Sequence, residues 1–143
     1  MKVGFIGTGR MGQAMCRRII EAGHDLAVYD RVPEQIVPVV EAGAKAMDSL
    51  GEAAHYGEAV VTMLPDDAAL DAVAVQPNGL LESLPQGGIH ICAGTHSVAI
   101  IQKLEALHGA AGQILIATPM LGRPEVVAAG AAGMVLGLSL IHI

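Results

Sequence analysis

The run Gly7-Thr8-Gly9-Arg10-Met11-Gly12 constrains this chain more than any other stretch. It follows an apolar strand-like segment, Val3-Gly4-Phe5-Ile6, and opens a segment whose Met11, Ala14, Met15, Ile19 and Ala22 recur with helical periodicity. About eighteen residues after Gly12, a second strand-like segment, Leu26-Ala27-Val28-Tyr29, ends on Asp30. Each glycine has its own mechanical task. Gly7 turns the chain where a side chain would collide, Gly9 lets the backbone approach a phosphate, and Gly12 lets the helix pack close on the sheet. The first helical turn then offers unpaired N–H groups and the positive end of its dipole to an anion. With Asp30 placed to accept hydrogen bonds from a ribose, the pattern is a dinucleotide-binding fingerprint.

Strand and helix patterns alternate along the rest of the chain, as in an α/β doubly wound fold with a mainly parallel sheet. Pro33 starts a helix expected to run to Val40, with Pro38 an awkward fit inside it. Lys45-Ala46 reads as a short edge strand, and Asp48 or Ser49 as the cap of a helix with Glu52 in its first turn. Residues 58–64 form the next strand, stopped by Pro65-Asp66-Asp67 at the start of another helix. Asn78-Gly79 is a turn signal. Residues 88–92 form a strand ending in the loop Ala93-Gly94-Thr95. Ser97 then caps a helix whose buried face is expected at Ile100, Leu104, Leu107 and Ala111. Further strands are expected at 113–117 and 134–136.

The chain has 143 residues, half of them apolar and almost none aromatic, so its core must be aliphatic and alanine-rich. That suits helices packed close on a parallel sheet. A net charge of −6, without a basic stripe or aromatic platform, argues against a nucleic-acid partner. The apolar stretch Val126–Ile141 falls short of a membrane span and is interrupted by Gly130, Gly133 and Gly137, so no membrane role is expected. Cys16 and Cys92 form no ligand spacing with histidine; they read as small buried residues of a reducing, cytoplasmic compartment, and no metal site is expected. No targeting peptide precedes the first strand. His24, His55, His90, His96, His108 and His142 are scattered, and His96 reads as a neutral pocket or surface histidine beside Thr95. Asp66, Asp67 and Asp71 sit where carboxylates complement a helix dipole.

These residues resemble the β-hydroxyacid dehydrogenase family, which includes 3-hydroxyisobutyrate dehydrogenase and, more distantly, 6-phosphogluconate dehydrogenase. The opening residues 5–24 are similar to the family signature, in which G-x-G-x-M-G leads into a helix ending in Ala-Gly-His, here Ala22-Gly23-His24. Thr8 stands where leucine is common. Met63-Leu64-Pro65-Asp66, Asn78-Gly79-Leu80, Gly94-Thr95-His96-Ser97 and Ala117-Thr118-Pro119-Met120-Leu121-Gly122 extend the likeness to about Gly137. The resemblance implies a Rossmann-type nucleotide domain over residues 1–137. It implies cofactor contacts from Gly7, Thr8, Gly9, Arg10, Met11, Gly12, Asp30, Arg31, Met63, Leu64 and Pro65, with Thr95 beside the nicotinamide end. It also implies a substrate-pocket wall built from Gly94, Thr95 and Gly122. Serine stands at position 94 in many relatives, and Ser-Gly-Gly in place of Leu121-Gly122-Arg123. Arg123 is either a substrate-anion clamp or an exposed residue of the Arg123-Pro124-Glu125 turn. Asp30 favours NAD because its carboxylate repels a 2′-phosphate, whereas Arg31 could hold that phosphate, so some use of NADP is expected.

The resemblance further implies hydride transfer between a nicotinamide dinucleotide and a small β-hydroxy acid or its oxo form, in a homo-oligomeric parent. An imine reductase and a non-catalytic nucleotide-binding module are the alternatives. The family's acid/base lysine and its helical second domain lie beyond the part matched; Lys2, Lys45 and Lys103 do not stand at that position. No catalytic residue is therefore expected within this chain, and on its own it would bind cofactor without turnover. Leu138-Ser139-Leu140-Ile141-His142-Ile143 matches the translation of a transposase adapter used in sequencing libraries and is expected to be a non-native tail.

Overall fold

The computed structural model describes residues 1–137; the expected tail lies outside them. Six parallel strands form one sheet: β1 (Lys2–Ile6), β2 (Asp25–Tyr29), β3 (Lys45–Ala46), β4 (Ala59–Thr62), β5 (Ile89–Cys92) and β6 (Ile114–Ala117). Their order is β3-β2-β1-β4-β5-β6, so the connection reverses direction between β1 and β4. This is the strand order of the doubly wound dinucleotide-binding fold.

Helices cover both faces, because each strand is apolar on both sides. On one face α1 (Arg10–Glu21), α2 (Val37–Glu41) and α7 (Pro124–Ala128) bury Val3, Phe5, Met15, Cys16, Leu26, Val28, Val39 and Val127. On the other, α3 (Leu50–His55), α4 (Asp67–Val75), α5 (Leu80–Ser83) and α6 (Val98–Ala110) bury Ile6, Val60, Leu70, Leu80, Cys92 and Leu104. Close packing of α3 on β1 needs glycine: a Cβ on Gly4 would lie 2.0 Å from the Ala53 carbonyl oxygen. Burial pushes both cysteine thiols up from their ordinary pKa.

Three expectations change. The helix expected from Pro33 to Val40 is a 3-10 turn, Pro33–Gln35, followed by the separate α2. Pro38, which cannot donate within a helix, lies in the opening turn of α2, where no donor is required. The strand expected at 134–136 does not join the main sheet. Instead β8 (Gly133–Met134) pairs antiparallel with β7 (Met120–Leu121). The buried side of α6 is Ile100, Leu104 and His108, whereas Leu107 and Ala111 are exposed. A continuous four-residue step therefore fits this helix better than the 4-3-4 rhythm. Caps follow the sequence: Ser49 Oγ accepts from Glu52 N at 3.2 Å, Asp66 Oδ1 from Ala69 N at 2.8 Å, and Ser97 Oγ from Ile100 N at 3.3 Å.

Candidate functional site

Strand register brings the site together. Tyr29, Ile6, Thr62, Cys92 and Ala117 are successive partners across the sheet, so β2, β1, β4, β5 and β6 end in one row. The segments singled out in the sequence leave the sheet at that edge: Asp30-Arg31, Gly7–Gly12, Met63–Pro65, Ala93–Thr95 and, after β6, Thr118–Gly122. A cleft of about 570 Å³ opens there, above the reversal between β1 and β4. Open sheets of this kind bind ligands at such a point. The cleft is walled by the glycine loop, Asp30-Arg31-Val32, Met63-Leu64-Pro65 and the side of α4. Among the expected cofactor residues, Thr8 and Thr95 do not line it: Thr8 is wholly buried beneath the loop and Thr95 is exposed on the next one.

The three glycines differ as their tasks require. Gly7 has φ +94°, and a Cβ there would meet the Met63 carbonyl oxygen at 2.3 Å. A Cβ on Gly12 would stand 2.1 Å from the Gly7 carbonyl oxygen, so no side chain fits between α1 and the loop. A Cβ on Gly9 meets no atom within 4 Å. Gly9 is the N-cap of α1, whose first turn carries no acidic residue, so the helix N-terminus is open to an anion.

Asp30 ties this loop to β2. Its Oδ2 accepts from the Thr8 N–H at 2.7 Å and the Thr8 hydroxyl at 3.3 Å, and its Oδ1 from Val32 N at 2.9 Å. The departure at position 8 thus gives the acid a second donor on Oδ2, and Oδ1, with a single donor, keeps a lone pair for a further one.

Beyond the cleft, Asp67 ties the start of α4 to the loop after β5. Its Oδ1 accepts from Ser97 N and faces His96 Nδ1, each at 3.1 Å. Bonds from Ser97, then from His96, hold the Asp67 carboxyl below the usual carboxylate range. Gly94 is buried at the end of β5. Gly122, at φ +145°, and Arg123, the N-cap of α7, are exposed, and the Arg123 side chain caps nothing.

Sequence reasoning missed a polar chain inside the fold. Thr62 Oγ1 lies 2.8 Å from His90 Nε2, His90 Nδ1 lies 3.0 Å from His108 Nε2, and His108 Nδ1 lies 2.7 Å from Gln113 Oε1. Gln113 Nε2 donates to the Leu81 and Leu84 carbonyl oxygens. Burial holds His90 well below its ordinary pKa, with repulsion from His108 and then His96 adding to it; burial also lowers His108. The available signals were His90 in an apolar strand and His108 four residues after Leu104.

Strand order, reversal point and glycine loop together define a Rossmann-like nucleotide-binding domain. The chain belongs to the family of the NAD binding domain of 6-phosphogluconate dehydrogenase, whose model matches residues 2–139. It is 42% identical over 131 residues to an uncharacterized oxidoreductase, YfjR, of Bacillus subtilis (strain 168), covering 92% of this chain and 46% of that protein. It is 27% identical over 135 residues to 3-hydroxyisobutyrate dehydrogenase of Pseudomonas aeruginosa, covering 94% and 45%. Among solved structures, Psf3 in complex with NADP+ and 2-OPP superposes with a TM-score of 0.90 at 27% identity, covering 94% of this chain and 48% of that one. The chain spans about half the length of the curated relatives it matches.

Proposed function

We propose that this chain is the cofactor-binding part of an NAD(P)-dependent oxidoreductase acting on a small β-hydroxy acid or its oxo form. The fit of the three glycines carries the reading. Two of them have no room for a side chain, while Gly9 faces open space beside the N-terminus of α1. A cradle of that form suits a diphosphate held by backbone N–H groups.

In this reading the first turn of α1, with Arg10 and Met11, holds the diphosphate, and Asp30 accepts from the adenosine ribose. Met63, Leu64 and Pro65 line the path to the nicotinamide, and Thr95 stands at its end. Gly94 and Gly122 offer backbone N–H groups to the substrate, and Arg123 its guanidinium to the substrate anion. A nicotinamide held there would supply hydride chemistry between the oxo and hydroxyl forms of the substrate carbon. Asp30, already the acceptor for Thr8 and Val32, repels a 2′-phosphate, so NAD is the preferred cofactor and NADP, aided by Arg31, the weaker one. The acid/base lysine, subunit association and a cytoplasmic location belong to the longer enzyme.

Titration of the chain with NADH and NADPH, followed by nicotinamide fluorescence, tests this. Saturable binding with NADH the tighter ligand is expected. Gly9→Leu should fold, by circular dichroism, yet bind neither. Absence of binding by the unaltered chain, or undiminished binding by folded Gly9→Leu, overturns the reading.

A further inference from the structure

Among the described residues, two buried side-chain polar atoms have no hydrogen-bond partner, and one of them, His96 Nε2, stands beside the candidate site. The His96 side chain is wholly buried, and its Nδ1 faces the Asp67 carboxylate at 3.1 Å. A carboxylate only accepts, so Nδ1 carries the hydrogen, and in the neutral ring Nε2 has a bare lone pair. That lone pair is held against Gly94. A Cβ at position 94 would lie 2.5 Å from His96 Nε2 and 2.9 Å from the carbonyl oxygen of Leu64, a residue of the cleft wall. No side chain fits at 94 while this ring is in place.

The topology says which part of a dinucleotide comes near. With the adenosine ribose on Asp30 after β2 and the diphosphate on α1 after β1, the other half extends across β4 toward β5. Its terminal hydrogen-bond donor is a carboxamide NH2.

We propose that His96, oriented by Asp67, recognises the nicotinamide carboxamide: Nε2 accepts from the amide N–H. The ring is covered by its own loop, so the contact forms as the Gly94-Thr95 turn shifts to meet the ligand. A carboxylate behind the imidazole fixes the orientation of the ring and of the nitrogen it offers. This inference rests on the cofactor reading above, and its test separates the two.

The test compares NADH with ADP-ribose, which carries the adenosine, diphosphate and second ribose but no carboxamide. With the imidazole nitrogens labelled, NADH should move the His96 Nε2 resonance from the position of a free lone pair toward that of a hydrogen-bonded one, while ADP-ribose leaves it unmoved. His96→Ala should cost about fivefold in NADH affinity and nothing in ADP-ribose affinity. Gly94→Ser, whose side chain would crowd His96 Nε2, should weaken NADH binding. Failure of both ligands to bind refutes the cofactor reading, and this inference with it. Binding of both with Nε2 unmoved by NADH, or moved equally by ADP-ribose, overturns the role of His96 alone.

Discussion

Acid should destabilise this fold through two residues, His90 and His108. The Gln113 amide gives both its hydrogens to the Leu81 and Leu84 carbonyls, so its oxygen faces His108 and requires the hydrogen on His108 Nδ1. His108 Nε2 is then an acceptor, His90 Nδ1 its donor, and His90 Nε2 the acceptor for the Thr62 hydroxyl. Both rings are neutral. A proton added to His108 sets two N–H groups against each other across 3.0 Å. One added to His90 forces the Thr62 hydroxyl to reverse. Both folded-state pKa values lie below the ordinary value of 6.5. The unfolded chain therefore binds more protons than the native one as pH falls below 6.5, and stability rises with pH through that window. A ring that stays neutral down to pH 5.5 loses about 1.4 kcal/mol of stability between pH 7.5 and 5.5. That is the most either ring can contribute over this interval; the wholly buried His90, held the further below its ordinary value, comes nearer to it than His108, against a total of about 5–15 kcal/mol for a typical domain. Urea unfolding at the two pH values measures it, by circular dichroism because the chain has no tryptophan. His108→Gln should reduce the difference between the two pH values. Equal stability at both, or a difference unchanged in His108→Gln, refutes the argument.

Two further outcomes are expected. Gly12→Ala drives a methyl to 2.1 Å from the Gly7 carbonyl and should cost at least about 2 kcal/mol, whereas Gly9→Ala, with open space around it, should unfold at the same urea concentration as the unaltered chain. Similar midpoints for both alanine variants would contradict the distinction drawn between these glycines. Asp66→Ala removes the N-cap of α4 and should lower stability by about 1 kcal/mol, read from the thermal midpoint. An unchanged midpoint would show that another group takes over the cap.

The sequence exposed this fold wherever one segment carried several independent signals. The unit from β1 to β2 combined a glycine run, a helical period and a terminal acid, and α6 had its Ser97 cap. The four- and five-residue helices α5 and α7 span barely one turn, too short for a period to register. Apolar Met134–Leu136 predicts a strand of the main sheet, whereas the two-residue β8, Gly133–Met134, pairs with β7. At the site, the backbone glycines were legible because their constraint is steric and local. Contacts such as Thr8 with Asp30, or His90 with His108, join residues 22 and 18 positions apart, and no periodicity encodes them. Their partners become visible only once strand register has brought the elements side by side.

The link from Thr8 to Asp30 has a consequence for how tightly a ligand can be held. The amide and hydroxyl of one residue fix the glycine turn and the acid at the neighbouring strand end as a single unit. Neither must be ordered when a guest arrives, so little of the entropic cost of association falls on the protein. Such an edge is preorganised by a contact that is complete before any ligand arrives.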